Sequence, residues 1–588
     1  MTEQPTPRPW LAITTAATGV LPLLFCLWTT TRGLDLSDES YLLNWLDHPG
    51  SYPTSVSEFG FVYQPLMVLV GGNLIAARVV NVLLTWVLVV VAARLVLRQA
   101  DVTSSPWLHA VAIGGLAPLS FHLGITTPGY NSLAFEAGAL FVIALALMGG
   151  ETPRRVWTGA VLAGLSGWLL LLAKPTTAVV AAVLGLVLLA VTRRLWRLTT
   201  AAVVGSGVFF VLLGAVLIDG WPGDFVRRIR GGADDLSILG SHTDLLRWDY
   251  LFVADVQRLA FGLVVVGIAL AIAASFDDGR LGQVAEVVGA LACVGAVVIF
   301  VRRPLLLELA QPGKSILLLG LAVGTVLGVL ALHVKLRRGL DRTVLAWAIV
   351  LLSLPFATAV GSNNNYWLQM TPFAVWWVLG ALVLLRGAGR PFLSLVTTVL
   401  LVGQTATVLL LVSQADLPYR QVSSLWDMDQ WTRVGSHGSV QLDDEMSSIL
   451  DRVTREARAD GFEDDTPVID LTGASPGVIT VLGGKAVGSP WLLGGYPGSQ
   501  DLALKGLRSA SCAELARAWV LTEPQGGRAI SGKVLGELGL DEQAYRDVVT
   551  WAPPQLRPPT LPRGEVTLAV PTDPEAARIS CTADRQGS

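Results

Sequence analysis

Asp35-Leu-Ser-Asp-Glu-Ser-Tyr41 is a polar loop set between an apolar run near 11–31 and the next long one near 74–93. Carboxylates are costly beside hydrocarbon, so an acidic pair with a Tyr two residues on marks a working position if the flanking runs cross a membrane. The composition argues that they do. The chain has 588 residues, 52% of them apolar and 15% charged, with a mean hydropathy of +0.57. Soluble domains carry about 25% charged residues. Runs of about 20 apolar residues, the length that spans a bilayer, recur near 11–31, 74–93, 107–124, 131–149, 156–173, 176–192, 198–218, 256–275, 281–301, 314–334, 343–360, 371–385 and 391–414. This spacing predicts a multi-span α-helical membrane protein with about 13 transmembrane helices.

Met1 to Pro9 carries one charge pair and no small-residue cleavage site, so the first run reads as a retained anchor. Orientation follows from the basic residues. Arg94 and Arg98, Arg154 and Arg155, Arg193-Arg194-Leu-Trp-Arg197, Lys335-Leu-Arg-Arg338 with Arg342, and Arg386 with Arg390 fall on one side if the runs alternate. That side is expected to be cytoplasmic, with the Asp38 loop and the C-terminus outside.

The character changes after Gln414. Residues 415–588 hold 24 acidic residues against 16 basic ones, a balance of −8, which leaves +5 for residues 1–414. A stretch of about 170 residues is long enough for its own core. Pro467-Val-Ile-Asp-Leu-Thr472 and Ala518-Trp-Val-Leu-Thr522 read as strands, and 443–459, 512–518 and 533–538 as helices. The expected organisation is a membrane domain over 1–414 and an exported α/β domain over 415–588. Cys26 and Cys293 lie inside apolar runs. Cys512 and Cys581 are the two in the exported part, where pairing is permitted, with two free thiols as the alternative.

Ser37 can cap a helix starting at Asp38, whose apolar face would be Tyr41, Leu42, Trp45 and Leu46, lying at the membrane interface. Taken singly, Asp38 and Glu39 could be no more than first-turn acids favoured by the helix dipole. Their context adds Glu58-Phe-Gly-Phe-Val-Tyr-Gln-Pro65, then Gly71-Gly-Asn73 and Ala77-Arg78 opening the next run. This loop resembles that of the GT-C superfamily, polytopic glycosyltransferases that use polyprenyl-phosphate sugars and include protein mannosyltransferases and aminoarabinose transferases. The matching positions are Asp38, Glu39, Tyr41, Gly60, Tyr63, Pro65 and Arg78, in order over about 45 residues, and the likeness covers the membrane half only.

The resemblance implies inverting sugar transfer from a polyprenyl-phosphate donor to a glycan, lipid or protein acceptor. Asp38 would be the base, with Glu39 beside it. Charge develops on the departing lipid phosphate, so cations are expected near it. The family's counterpart of Lys174, in Ala173-Lys-Pro-Thr-Thr177, contacts that phosphate; snorkelling to the interface is the bland alternative. Arg227, Arg228 and Arg230, with Arg247 beyond them, and Arg302 with Arg303 lie on the outer side against the positive-inside trend, which suits phosphate contact. Tyr130 and Asn131, and Asn364 with Tyr366, sit in polar outer loops suited to sugar hydroxyls and ring faces, or equally to turns. Many family members place an acid where this chain has Asn131, with Glu136 deeper. No cofactor is therefore expected, although a divalent metal stays open. Ser489-Pro-Trp-Leu-Leu-Gly-Gly-Tyr-Pro-Gly-Ser499 reads either as a ligand-contacting loop or as packing on the membrane part. Membrane lipids are the expected surroundings, and the charge balance points to no nucleic acid. The alternative function is a lipid or polysaccharide transporter or flippase. Such a protein carries broken helices in repeated halves, and no internal repeat stands out.

Overall fold

The computed structural model describes residues 9–103, 105–192, 197–239, 245–247, 255–274, 279–301, 316–336, 341–362, 364–386, 393–556 and 562–587. Among these, nine helices are long and apolar enough to cross a membrane, or ten if one bent pair is counted as a span. They include α1 (Pro9–Thr29) and, after α2 (Asp38–Asp47) and α3 (Phe59–Leu69), the helix α4 (Leu74–Gln99). The chain is a multi-pass membrane protein.

Nine of the thirteen apolar runs form such helices among the described residues, and three of the others show why a run of the right length need not. The run near 107–124 folds as Pro106–Gly114 and then a 3-10 turn, Ala117–Ser120. Its backbone passes so close to α1 that a Cβ on Gly115 would lie 2.3 Å from the Gly19 carbonyl oxygen. Pro175–Val191 has only 17 residues, whereas the run near 314–334 forms the 21-residue helix Ile316–Leu336. The run near 371–385 belongs to the bent pair Tyr366–Phe373 and Val375–Arg386, which meet at 69°. Pro372 lies at that break, where it removes a backbone donor.

Beyond the helix Leu393–Asp416 the chain becomes sheet-containing. β1 (Gln430–Arg433) and β2 (Ser439–Leu442) form an antiparallel ribbon. β3 (Pro467–Asp470), β4 (Lys485–Ala486), β5 (Trp519–Thr522), β6 (Tyr545–Trp551) and β7 (Val566–Pro571) form a five-stranded sheet of order β4-β3-β5-β7-β6. β3 is parallel to β4 and β5, whereas β7 is antiparallel to β5 and β6. Alternation along the strands supplies two cores. Ile469 and Val520 pack with Leu507, Leu515 and Leu535 on one face, and Val468 and Leu521 pack with Phe462 and Val478 on the other. Cys512 is bonded to Cys581, tying the helix Cys512–Arg517 to the last helix, Pro574–Gly587.

The C-terminal region is locked onto the first polar loop by backbone as well as side chains. Gly33 N donates to Gln441 O (2.9 Å), Gln441 N to Thr31 O (2.7 Å) and Gly477 N to Leu36 O (2.8 Å). A Cβ on Gly477 would lie 2.5 Å from the Leu36 Cα, so this approach needs glycine. Asn44 joins the same interface by donating to Pro490 O (3.0 Å) and accepting from Thr480 Oγ1 (2.9 Å).

His437, on the β1–β2 turn, is buried between Asp47 Oδ2 (Nε2, 3.0 Å) and Gly72 O (Nδ1, 3.0 Å). Both partners are acceptors, so the geometry calls for the doubly protonated ring. Burial opposes that charge, but the Asp47 hydrogen bond and charge, with the Gly72 carbonyl, outweigh it and raise the His437 pKa. A raised folded-state value stabilises the docked interface fully below the unfolded value of about 6.5. That contribution is lost as pH rises through the folded value. We expect the protection factors of amides in the β1–β2 ribbon and the 71–74 turn, corrected for intrinsic base-catalysed exchange, to fall in wild type as pH rises from about 6.5 through that folded value. In His437→Gln those protection factors should be nearly independent of pH across the same range; identical profiles in the two proteins would remove His437 from the interface balance.

Candidate active site

The Asp38 turn is organised by Asp35, not by Ser37. Asp35 is buried and its Oδ1 accepts from Ser37 N (3.2 Å) and Ser37 Oγ (2.7 Å), while Oδ2 accepts from Asp38 N (2.7 Å) and Glu39 N (3.3 Å). Ser37 makes no side-chain cap of its own. Asp35 thus satisfies the orphan N–H groups at the start of α2. Burial and the nearby Asp38 charge push its pKa up to about 7, against the pull of Arg420 and Ser37.

The two adjacent acids part company here. Glu39 is fully buried and meets Arg78, equally buried, through Nη2 to both carboxylate oxygens (2.7 Å each) and Nε to Oε1 (3.0 Å). Thr127 Oγ1 also donates to Glu39 Oε1, and Arg78 donates to Thr30 O (2.9 Å) and Gly33 O (2.8 Å). Glu39 is therefore committed to holding the loop onto α4 and does not face the opening. Asp38, by contrast, leaves 44% of its side chain exposed.

Arg420 partners Asp38. Its Nη1 lies 3.2 Å from Asp38 Oδ2 and donates to Ser37 Oγ (2.6 Å), and its guanidinium lies 4.7 Å from the Tyr419 ring centroid. Arg420 holds φ +50°, a left-handed conformation that costs a non-glycine residue of order 1–3 kcal/mol. Arg528, from a loop of the C-terminal sheet region, is felt electrostatically by Asp38 and Arg420 and lies 5.9 Å over the Trp491 ring. Neither arginine carries a local sequence signal; each reaches the loop only through the tertiary fold.

Tyr130 stands near this cluster, close enough for Asp38 and Arg420 to act on its hydroxyl. Lys174 Nζ is 5.4 Å from the Tyr130 ring centroid and 3.5 Å from Thr358 O. Burial pushes the Lys174 pKa down to about 8. The Asn364–Tyr366 loop adjoins this turn, because Thr176 Oγ1 donates to Val360 O (2.6 Å) and Tyr366 Oη accepts from Gly361 N (3.2 Å). Asn364 is exposed and Asn131 half-buried. Tyr41 sits among Trp45, Phe59 and Trp491, so the 489–499 loop packs directly on α2.

Other sequence candidates lie elsewhere. Tyr63 is buried and donates to Glu136 Oε2 (2.7 Å), with Thr85 on Oε1 (3.0 Å), a network that joins α3, α4 and the helix Tyr130–Met148. Arg228 is held by Asp219 (2.6 Å) and Tyr52 O, Arg227 is 79% exposed and pairs with Asp224, and Arg230 is exposed on the same helix. Arg302 and Arg303 lie outside the described residues. Glu58, quoted in the loop motif without a role, is buried with neither oxygen hydrogen-bonded among the described residues, and Arg228 Nε is 4.0 Å away. Burial raises its pKa to about 8, against the lowering effect of Arg228. No group of three or more His, Cys, Asp or Glu side chains among the described residues is arranged to hold a metal ion.

Two solved structures share a distant likeness with the chain. One is the crystal structure of ArnT from Cupriavidus metallidurans bound to undecaprenyl phosphate, at 15% identity and a TM-score of 0.38, covering 95% of this chain and 98% of that one. The other is an oligosaccharyltransferase from Archaeoglobus fulgidus in the apo form, at 14% identity and a TM-score of 0.41, covering 99% of this chain and 78% of that one. At this level of similarity neither carries a functional conclusion. No protein-family model matches the chain. No curated protein matches it.

Proposed function

We propose that this chain is a membrane glycosyltransferase of the GT-C kind, moving a sugar from a polyprenyl-phosphate donor to an acceptor hydroxyl at the outer face of the membrane. The observation that supports it most is the division of labour in the acidic pair. Glu39 is spent on Arg78, while Asp38 remains accessible with a guanidinium against it. In this reading Asp38 takes the proton of the acceptor hydroxyl as that oxygen bonds to the anomeric carbon. The bond from that carbon to the phosphate oxygen breaks on the opposite face, and its electron pair leaves with the polyprenyl phosphate. Inversion follows from this single displacement. Arg420 orients Asp38 through the contact at 3.2 Å.

Lys174 is the cation we assign to the departing phosphate. It is half-buried, next to Tyr130, and its nearest recorded polar neighbour is a carbonyl oxygen at 3.5 Å, a weak partner for an ammonium. Lys174→Ala is expected to raise the apparent KM for a polyprenyl-phosphate sugar by about tenfold or more, the worth of one charge-assisted contact. The KM for the acceptor should change little. A donor KM within twofold of wild type in steady-state assays would return Lys174 to a snorkelling role.

A further inference from the structure

A cleft runs between the first polar loop and the C-terminal region, walled on one side by Asp35, Ser37 and Arg420 and on the other by Glu523, Arg528 and Arg563. Its charges are unequal, with three arginines against two carboxylates. Both carboxylates, moreover, turn their oxygens into the protein. Asp35 is filled by the start of α2, and Glu523 Oε1 accepts from Arg563 Nε (2.9 Å) and Gly564 N (2.9 Å). Arg563 spends its remaining reach on Ser475 Oγ (3.2 Å).

Arg528 is different. Among the described residues no carboxylate or hydrogen-bond acceptor pairs with its side chain, which is half-buried over the Trp491 ring. Its position is built, not incidental. A Cβ on Gly494 would lie 1.7 Å from the Arg528 carbonyl oxygen, and one on Gly473 2.1 Å from it, so two glycines let three loops close on this residue. Burial and the Arg420 charge work against the Arg528 cation, and Tyr496 and Asp38 offset them only in part. A half-buried guanidinium that repels its neighbour and has five donors to satisfy is completed by an anion. The floor nearby is partly aromatic and apolar, with Trp551 and Pro553. Such surfaces take the faces of sugar rings.

We propose that this cleft binds the acceptor, and that the acceptor is a saccharide carrying an anionic group, carboxylate or phosphate, which Arg528 grips while Arg420 leads from the cleft to Asp38. The inference rests on the transferase reading for the word acceptor; the binding claim stands on the cleft itself. Arg420 makes the connection in a single residue, since one nitrogen touches both Ser37 in the cleft wall and Asp38 beyond it.

The test is binding to the full chain in lipid nanodiscs, with tetragalacturonate and a hexose 6-phosphate as the anionic probes, maltotetraose as the neutral one, and a polyprenyl phosphate as the donor mimic. Wild type should bind at least one anionic probe about tenfold or more tighter than maltotetraose, the worth of a charged hydrogen-bonded contact. Which of the two binds tells carboxylate from phosphate. Arg528→Gln should erase the preference, Arg528→Lys should retain part of it and show that the fold survives, and Asp38→Asn should leave binding intact. Polyprenyl phosphate binding should be unchanged in Arg528→Gln. Equal binding of charged and neutral probes, or a preference that survives Arg528→Gln, would overturn the proposal. So would weakened polyprenyl phosphate binding in that variant, because Arg528 would then serve the donor. A chain that keeps the Arg528-dependent preference yet never consumes a polyprenyl-phosphate sugar would end the transferase reading while leaving the anion site in place.

Discussion

Asp38→Asn should fold and insert like wild type, with only a small fall in melting temperature, while losing about 10²- to 10⁴-fold in sugar transfer, the range a positioned general base supplies. The substitution keeps the shape of the side chain and an oxygen that can accept from Arg420, and removes its charge and its ability to take a proton. Arg420, whose side chain is only 20% exposed, loses its counter-charge but keeps its hydrogen bond to Ser37 Oγ, so the fall in melting temperature stays small beside the loss of transfer. The measurement is single-turnover consumption of a polyprenyl-phosphate sugar with saturating acceptor, beside a thermal melt of the same sample. A transfer rate within about fivefold of wild type would remove Asp38 as the base.

Glu39→Gln should fail in the opposite way. It leaves Arg78 buried without its counter-charge in a helix that crosses the membrane, and breaking one side of a buried pair costs about 3–5 kcal/mol. The expected readout is a large fall in melting temperature and yield, with activity per folded molecule close to wild type. Arg78→Met should be similarly damaging alone, and Glu39→Gln combined with Arg78→Met should be less damaging than the two singles added together. A Glu39→Gln protein that melts normally but transfers poorly would assign Glu39 to the chemistry instead.

The pair illustrates what a sequence can and cannot tell. Apolar runs report their own helices because hydrocarbon demands local satisfaction of every backbone group. The Asp38 loop is legible for the same reason, as charge where charge is costly. Yet Asp38 and Glu39 look equivalent in one dimension; only the fold turns one outward and one onto Arg78. Asp35 takes the capping role assigned to Ser37 because a carboxylate three residues before Asp38 reaches several N–H groups at once. Arg420 and Arg528 were invisible as site residues, since Arg420 meets Ser37 across a sequence separation of 383 and nothing in its neighbours marks it. Strands β6 and β7 were likewise unread, β6 because its exposed and buried residues follow no clean alternation.

The backbone ties from Thr31, Gly33 and Leu36 to Gln441 and Gly477 set an order of manufacture. A nascent chain that has threaded all of its apolar helices into the bilayer still presents a first loop without Arg420, without the β1–β2 ribbon and without the far wall of the cleft. Asp38 is made almost at the start of synthesis, but Arg420 and the far wall of the cleft follow only after the last apolar helix. In the proposed reading, competence waits for the C-terminal region: a polypeptide stalled before Arg420 would sit in the membrane with Asp38 lacking its guanidinium.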